Sequence, residues 1–302
     1  MRKQLSALTL ALALCAAPFA TGQETAKPAA PQASADALKT EARQFASGLN
    51  AMVGDVSFAG NEAALKRGVT FALFVGCEVD EGNPAPPPSF TKADLESAKT
   101  LLQERAGLKA AYLATMTSDS KKFFLKPTRE NVLAMLRRVA EEARPEDAIC
   151  VVFSGEGFSV DGDAAFVPSV ATGDVARWIF ESEVRAILAS SRANRVATVW
   201  LTGRFERADL KKPEQAQAPA VEARKDAERV AIFACSKGER VRESTQAKLD
   251  FFWSEFLAAA KTSEGFLNGE TLRKAFDAAS AKVVEATKDS EVGAQTPEWQ
   301  SF

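Results

Sequence analysis

The sequence predicts a doubly wound α/β sandwich, a mostly parallel sheet with helices on both faces. Three observations predict it. Five short apolar runs recur along the chain, at Val69–Gly76, Ala110–Ala114, Ala148–Ser154, Val196–Leu201 and Val230–Ala234. Most are apolar on successive residues, as strands covered on both faces require. Helical patterns separate them, and alternating strands and helices with right-handed crossovers build this architecture.

The helices follow in order. Thr91-x-x-Asp94 reads as a capping box opening a helix with Leu95, Ala98, Leu101 and Leu102 inward and a stop at Gly107. Thr128 opens a second, whose inward residues are Val132, Leu133, Met135, Leu136, Val139 and Ala143, with Pro145 just beyond. A third covers about 181–191. After the last strand come two more: one near 245–261 carrying Phe252, Phe256 and Leu257, and one near 269–287 behind Asn268.

The N-terminal third is organised differently. Arg2 and Lys3 precede an apolar run from Leu5 to Ala17, and small residues allow a cut after Gly22, so residues 1–22 read as a signal peptide and the protein as exported, periplasmic or secreted. The run is shorter than the roughly 20 residues of a membrane span, and no stable span is expected once the leader is removed. Leu14 is too large for the position before a lipidated Cys15. Residues 23–35, rich in Ala, Pro and Gln, read as a flexible linker, and 36–68 as a helical lead-in with Leu38, Ala42, Phe45 and Leu49 on one face.

Bulk properties exclude several functions. A 46% hydrophobic content supports one large core, and the charged 26% is mixed in sign. Without the leader, 36 basic side chains face 40 acidic ones. A weakly acidic chain with no basic stripe is not expected to bind nucleic acid. Three cysteines remain after the leader, Cys77, Cys150 and Cys235, without CxxC spacing; they read as small buried hydrophobes in free thiol form. Three scattered thiols and no histidine make no zinc site, and no metal or cofactor is expected. Phosphate-loop, dinucleotide and nucleophile-elbow motifs are absent.

In such sheets the functional crevice lies beyond the carboxyl ends of the strands. Three loops therefore matter: Cys77–Gly82, Gly155–Phe158 and Thr202–Glu206. Glu78, Asp80, Glu81 and Glu156 could form an acidic pocket for a basic peptide or a cation such as Ca²⁺, against the simpler reading of solvated charge. Gly203 reads as the residue of a tight strand-to-loop turn. Cys77 is the one thiol at a crevice loop. Two segments interrupt the alternation: the polyproline-like Gly82–Ser89, and 208–228, a polar segment with basic pairs Lys211-Lys212 and Arg224-Lys225 that reads as a structureless, processed connection.

Together these residues resemble the caspase-like peptidases, most of all the bacterial metacaspase-like (orthocaspase) branch. The likeness is carried by Phe71–Gly76, Pro145–Ile149 leading into Phe153-Ser154-Gly155-Glu156-Gly157, the turn Asp161-Gly162-Asp163, Phe166-Val167-Pro168, Val196–Arg204, Ala234–Glu239 and Gln295-Thr296-Pro297, and it spans 69–298. The resemblance implies the caspase-like fold. It also implies a histidine base at the position of Glu156 and a cysteine nucleophile at that of Gly203, with an aspartate for basic substrates where Leu201 stands. The chain contains no histidine, and no cysteine between Cys150 and Cys235.

That removes the family's chemistry. The thiolate is the nucleophile, and an imidazole generates it and then protonates the leaving amine. Glycine offers no nucleophile, and an ordinary glutamate, ionised above about pH 4, is a poor proton donor. The expectation is a pseudopeptidase with no catalytic residues that binds, scaffolds or regulates an unknown protein or peptide. The alternatives are a hydrolase remodelled around carboxylates or Cys77, a cysteine-type endopeptidase as the family relation would have it, and a purely structural module.

Overall fold

A computed structural model describes residues 68–77, 90–105, 113–168, 174–218, 226–261, 269–290 and 293–302. The leader, the linker, nearly all of the lead-in and the acidic loop with Glu78, Asp80 and Glu81 lie outside them.

A central six-stranded sheet organises the fold. Its strands are β1 (Thr70–Gly76), β2 (Leu113–Thr117), β3 (Ala148–Gly155), β7 (Arg195–Thr202), β9 (Glu228–Phe233) and β12 (Glu298–Ser301), in the spatial order β12-β9-β7-β3-β1-β2. All are parallel except β12, which runs antiparallel to β9. The mostly parallel sheet with helices expected from the sequence is the one found. Chain order reverses beside β1, with β2 on one flank and β3 on the other, and this opens a crevice at their carboxyl ends.

Residue alternation within each strand feeds two cores. Phe71, Leu73 and Val75 of β1 face the same side as Ile149, Val151 and Phe153 of β3. There they meet α2 (Arg129–Glu142) and α3 (Glu181–Ala189) through Val132, Leu133, Leu136, Val184 and Leu188. Ala72, Phe74, Cys150 and Val152 face the other side. They pack on α1 (Thr91–Arg105), α4 (Phe251–Ala260) and α5 (Gly269–Thr287) through Leu95, Leu102, Phe252, Phe256 and Phe276. Helices therefore cover both faces, which is why the strands read as unbroken apolar runs.

Local chemistry sets the element ends. Thr128 accepts the N–H of Asn131 at 3.3 Å and caps α2 as its sequence suggests. At the far end of α3, the buried Arg229 donates to four carbonyls, those of Leu188, Ala189, Ser191 and Ala193. A cation there satisfies the orphan acceptors and opposes the negative end of the helix dipole.

Three expectations are corrected. The second strand is Leu113–Thr117, not Ala110–Ala114; at the sheet edge only Ala114 and Met116 are buried, so its signal is alternation and not an apolar run. Asp94 does not serve as the acidic partner of a capping box, because its carboxylate accepts from Ser154 and Asp250 instead. The segment 208–228 is not structureless over 208–218. Lys212 pairs with Asp163 at 2.7 Å, its N–H donates to Asp161 at 2.8 Å, and a turn of 3₁₀ helix buries Ala216.

Candidate functional site

The crevice is built on the adjacent carboxyl ends of β3 and β7. Gly155 pairs with Thr202 in register, so the next residues, Glu156 and Gly203, leave the sheet side by side. Beneath them the rings of Phe153 and Trp200 stack at 4.3 Å between centroids, and Trp200 stacks in turn on Phe233 of β9 at 6.2 Å. This aromatic ladder gives both strand ends a rigid floor.

Backbone geometry fixes how they exit. Gly155 adopts φ +145°, and a Cβ there would lie 3.0 Å from the Cys77 carbonyl oxygen and 3.1 Å from the Phe166 ring. At Gly157 a Cβ would lie 2.6 Å from the Thr202 Cβ and 2.8 Å from the Gly203 carbonyl oxygen. The two loops touch here without room for a side chain. Gly203 differs. Its φ is not positive, and a Cβ would meet only the Gly157 carbonyl oxygen, at 3.2 Å. The tight-turn reading of Gly203 is thus not the reason for glycine; a side chain there would project into open crevice.

After Gly157 the chain forms the hairpin of β4 (Gly157–Val160) and β5 (Asp163–Phe166). Asp161 at φ 51° and Gly162 at φ +83° supply the two left-handed residues of a two-residue turn. β6 (Ile179–Phe180) flanks β5, while β8 (Phe205–Glu206) pairs parallel with β4 and brings the chain after Gly203 back over the hairpin. The Glu156 carbonyl accepts the N–H of Val167 at 3.0 Å. Its side chain is half-buried, and its charge is felt at Arg207. Arg207 forms a bidentate pair with Asp209, both contacts 2.8 Å, and lies over the Phe158 ring at 5.3 Å. Hydrogen bonding to Asp209 above all, with the charge of Glu156 adding, holds Arg207 more firmly protonated than usual.

The thiols stand back from the crevice. Cys77 is buried, 5% exposed, in the core cluster with Val75 and Phe153, which corrects its reading as a crevice-loop thiol. Cys235 lies under the strand ends with Sγ 3.6 Å from the Thr202 and Glu239 carbonyls, and burial pushes its pKa up. Burial likewise pushes Cys150 up to about 12. Neither is a thiolate at neutral pH. Among the described residues no histidine, cysteine or carboxylate group clusters as a metal site.

Residues after β9 latch the crevice floor. They include the hairpin of β10 (Glu243–Ser244) and β11 (Leu249–Asp250) that leads into α4. Glu239 accepts the N–H groups of Ser236 and Thr296 at 3.0 and 2.6 Å, and Gln295 donates to the Ala234 carbonyl at 2.8 Å. Arg204, next to Gly203, is 5% exposed, pairs with Glu298 of β12, and sits 4.3 Å over the Phe233 ring. Neither Arg204 nor Arg207 was marked by sequence reasoning, because their partners are set by the fold and not by spacing.

Residues 72–170 match the metacaspase peptidase C14 domain. The same fold recurs in the crystal structure of caspase-1 from Spodoptera frugiperda, with a TM-score of 0.53 over 78% of this chain and 87% of that one at 12% identity. The chain has a caspase-like fold. It is also similar to Metacaspase-1B of Aspergillus clavatus, 32% identical over 73 residues, a stretch of 23% of this chain and only 18% of that protein. The match at 72–170 runs from within β1 through the β4–β5 hairpin and includes Glu156, but ends before β7 and Gly203. No described helix is long and apolar enough to cross a membrane.

Proposed function

We propose that this caspase-like protein is an exported pseudopeptidase, a binding or regulatory domain without peptidase activity. One observation carries the reading. Glu156 and Gly203 stand at adjacent strand ends where the family resemblance calls for a histidine base and a cysteine nucleophile, and the chain has no histidine anywhere. The remodelled-hydrolase alternative loses support from burial of Cys77 in the core and of Cys235 beneath the strand ends. The surface that remains has room for a side chain at Gly203 and carries the half-buried Glu156 beside it, with exposed Phe205 two residues on. A peptide or protein segment is the ligand that fits such a surface.

The test is an assay of the purified chain on Arg, Lys and Asp fluorogenic peptides, with and without Ca²⁺. No turnover is expected: loss of nucleophile and base together costs about 10⁶ in rate in a comparable protease. Turnover by the unmutated chain, abolished by Glu156→Ala or Cys77→Ala, would overturn the reading. Export is tested separately by N-terminal sequencing of the protein recovered outside the cytoplasm, with residue 23 expected first.

A further inference from the structure

One residue beyond Gly203, the fold forms a second, half-open space that the crevice chemistry does not use. It is a cavity of about 330 Å³ between the β4–β5 hairpin, the start of α3 and the β9–β12 edge. Asp163, Glu181, Ser182, Arg185, Arg204 and Gln300 supply its polar lining, with the Phe233 ring and Ala218 as apolar wall. Its size falls at the lower end of the range for small-molecule pockets.

The acceptors of this cavity are already satisfied. Glu181 receives Arg185 through both oxygens at 2.8 Å. Asp163 receives the N–H and hydroxyl of Ser182 and the ammonium of Lys212. The Gln300 carbonyl oxygen receives Arg185 at 3.1 Å, and Glu298 behind it receives Arg204 and Gln300. What remains is donor capacity. Arg204 is nearly wholly buried and leaves its Nε–H without a partner. Among the described residues one terminal nitrogen each of Arg185 and Arg204 also makes no hydrogen bond. A buried guanidinium N–H without an acceptor is costly, so a site of this kind favours an acceptor ligand.

Charge narrows the class. Three cations, Arg185, Arg204 and Lys212, are balanced by three acids, Asp163, Glu181 and Glu298. Because these charges balance, every negative charge a ligand brings is uncompensated, which favours a monoanion over a multiply charged phosphate, and a carboxylate matches the planar fork of a guanidinium. We propose that this cavity is a binding site for a compact, singly charged organic carboxylate, held by the terminal guanidinium N–H groups of Arg204 and Arg185 that make no hydrogen bond within the protein. The site stands independently of whether the crevice has lost its peptidase chemistry.

The experiment is NMR of the ¹⁵N-labelled full chain, reading the arginine Nε–H signals during titration with sodium acetate against sodium chloride at equal ionic strength. A saturable shift of the Arg204 Nε–H with acetate alone is expected. Arg185→Gln should weaken it about tenfold or more, the worth of one charge-assisted contact. Should that variant fail to fold, Ala218→Phe fills the cavity wall without removing an ion pair and should abolish the shift. Absence of saturation, an equal response to chloride, or acetate binding that survives both substitutions would overturn the site. A tighter response to inorganic phosphate than to acetate would overturn the carboxylate assignment.

Discussion

The Asp94 carboxylate accepts the backbone N–H of Asp250 at 2.9 Å, joining residues 156 positions apart across the carboxyl end of β3. Its other oxygen accepts the Ser154 hydroxyl at 2.9 Å. Asp250 in turn caps α4 through the N–H of Trp253 at 2.8 Å and leaves its second oxygen without a partner. Burial above all pushes both acids up, Asp94 to about 7, and the charge of nearby Glu243 adds to the effect on each.

A stability profile that falls with rising pH follows from this pair. A carboxyl whose pKa is raised in the folded state binds its proton more tightly there than in the unfolded chain. Its contribution is complete below the ordinary carboxylate range and is lost as pH rises through about 7. Asp94→Asn should flatten that dependence between about pH 4 and 8, an effect on the order of 4 kcal/mol at most for a three-unit shift. Urea unfolding midpoints of both proteins across this range measure it; parallel profiles would refute the assignment.

The two loop glycines should respond oppositely to substitution. Gly157→Ala drives a Cβ to within 2.6 Å of Thr202 and 2.8 Å of backbone, so it should cost more than about 2 kcal/mol. Gly203→Ala meets one carbonyl oxygen at 3.2 Å and should stay within about 1 kcal/mol of the unmutated chain. Thermal unfolding of the pair reads the difference directly.

Arg229→Met should be among the more damaging single changes outside the crevice. It keeps the apolar stem but strips the donors from four carbonyls at the end of α3. The expected loss is about 2–4 kcal/mol, seen as a lower urea midpoint with an unchanged slope.

The three thiols of the described residues should stay reduced and silent. Cys77, Cys150 and Cys235 are all buried and unbridged. A thiol reagent should label them only as fast as the protein unfolds, and mass spectrometry under non-reducing conditions should find no internal bridge.

Much of this fold was legible because its main strands are covered on both sides, so that Phe71–Gly76 and Ala148–Ser154 announce themselves as continuous apolar runs. The hairpin was legible for a different reason: Asp161-Gly162 supplies the two positive φ values its turn needs. β12 was missed, since Glu-Trp-Gln-Ser carries no apolar run and owes its place to pairing with β9. The family resemblance singled out Glu156 and Gly203, and the register of β3 on β7 puts them one residue beyond the paired Gly155 and Thr202. The burial of Cys77 follows the reading of all three cysteines as small buried hydrophobes, and it removes the alternative of a thiol displayed in the crevice. The Asp94–Asp250 contact and the donor-rich cavity behind Arg204 depend on residues brought together from several elements, and no local pattern encodes them.

The seam between β7 and β9 has a practical side. The two strands are hydrogen-bonded neighbours over six residue pairs, from Arg195–Glu228 to Trp200–Phe233, yet the covalent path between them runs through an excursion over the hairpin. The molecule is therefore topologically two pieces, one contributing β1, β2, β3 and β7, the other β9, β12, α4 and α5. Supplied as separate polypeptides they would make a complementation pair, four strands of the sheet on one piece and two on the other. Their union would then depend on concentration, where the intact chain's does not.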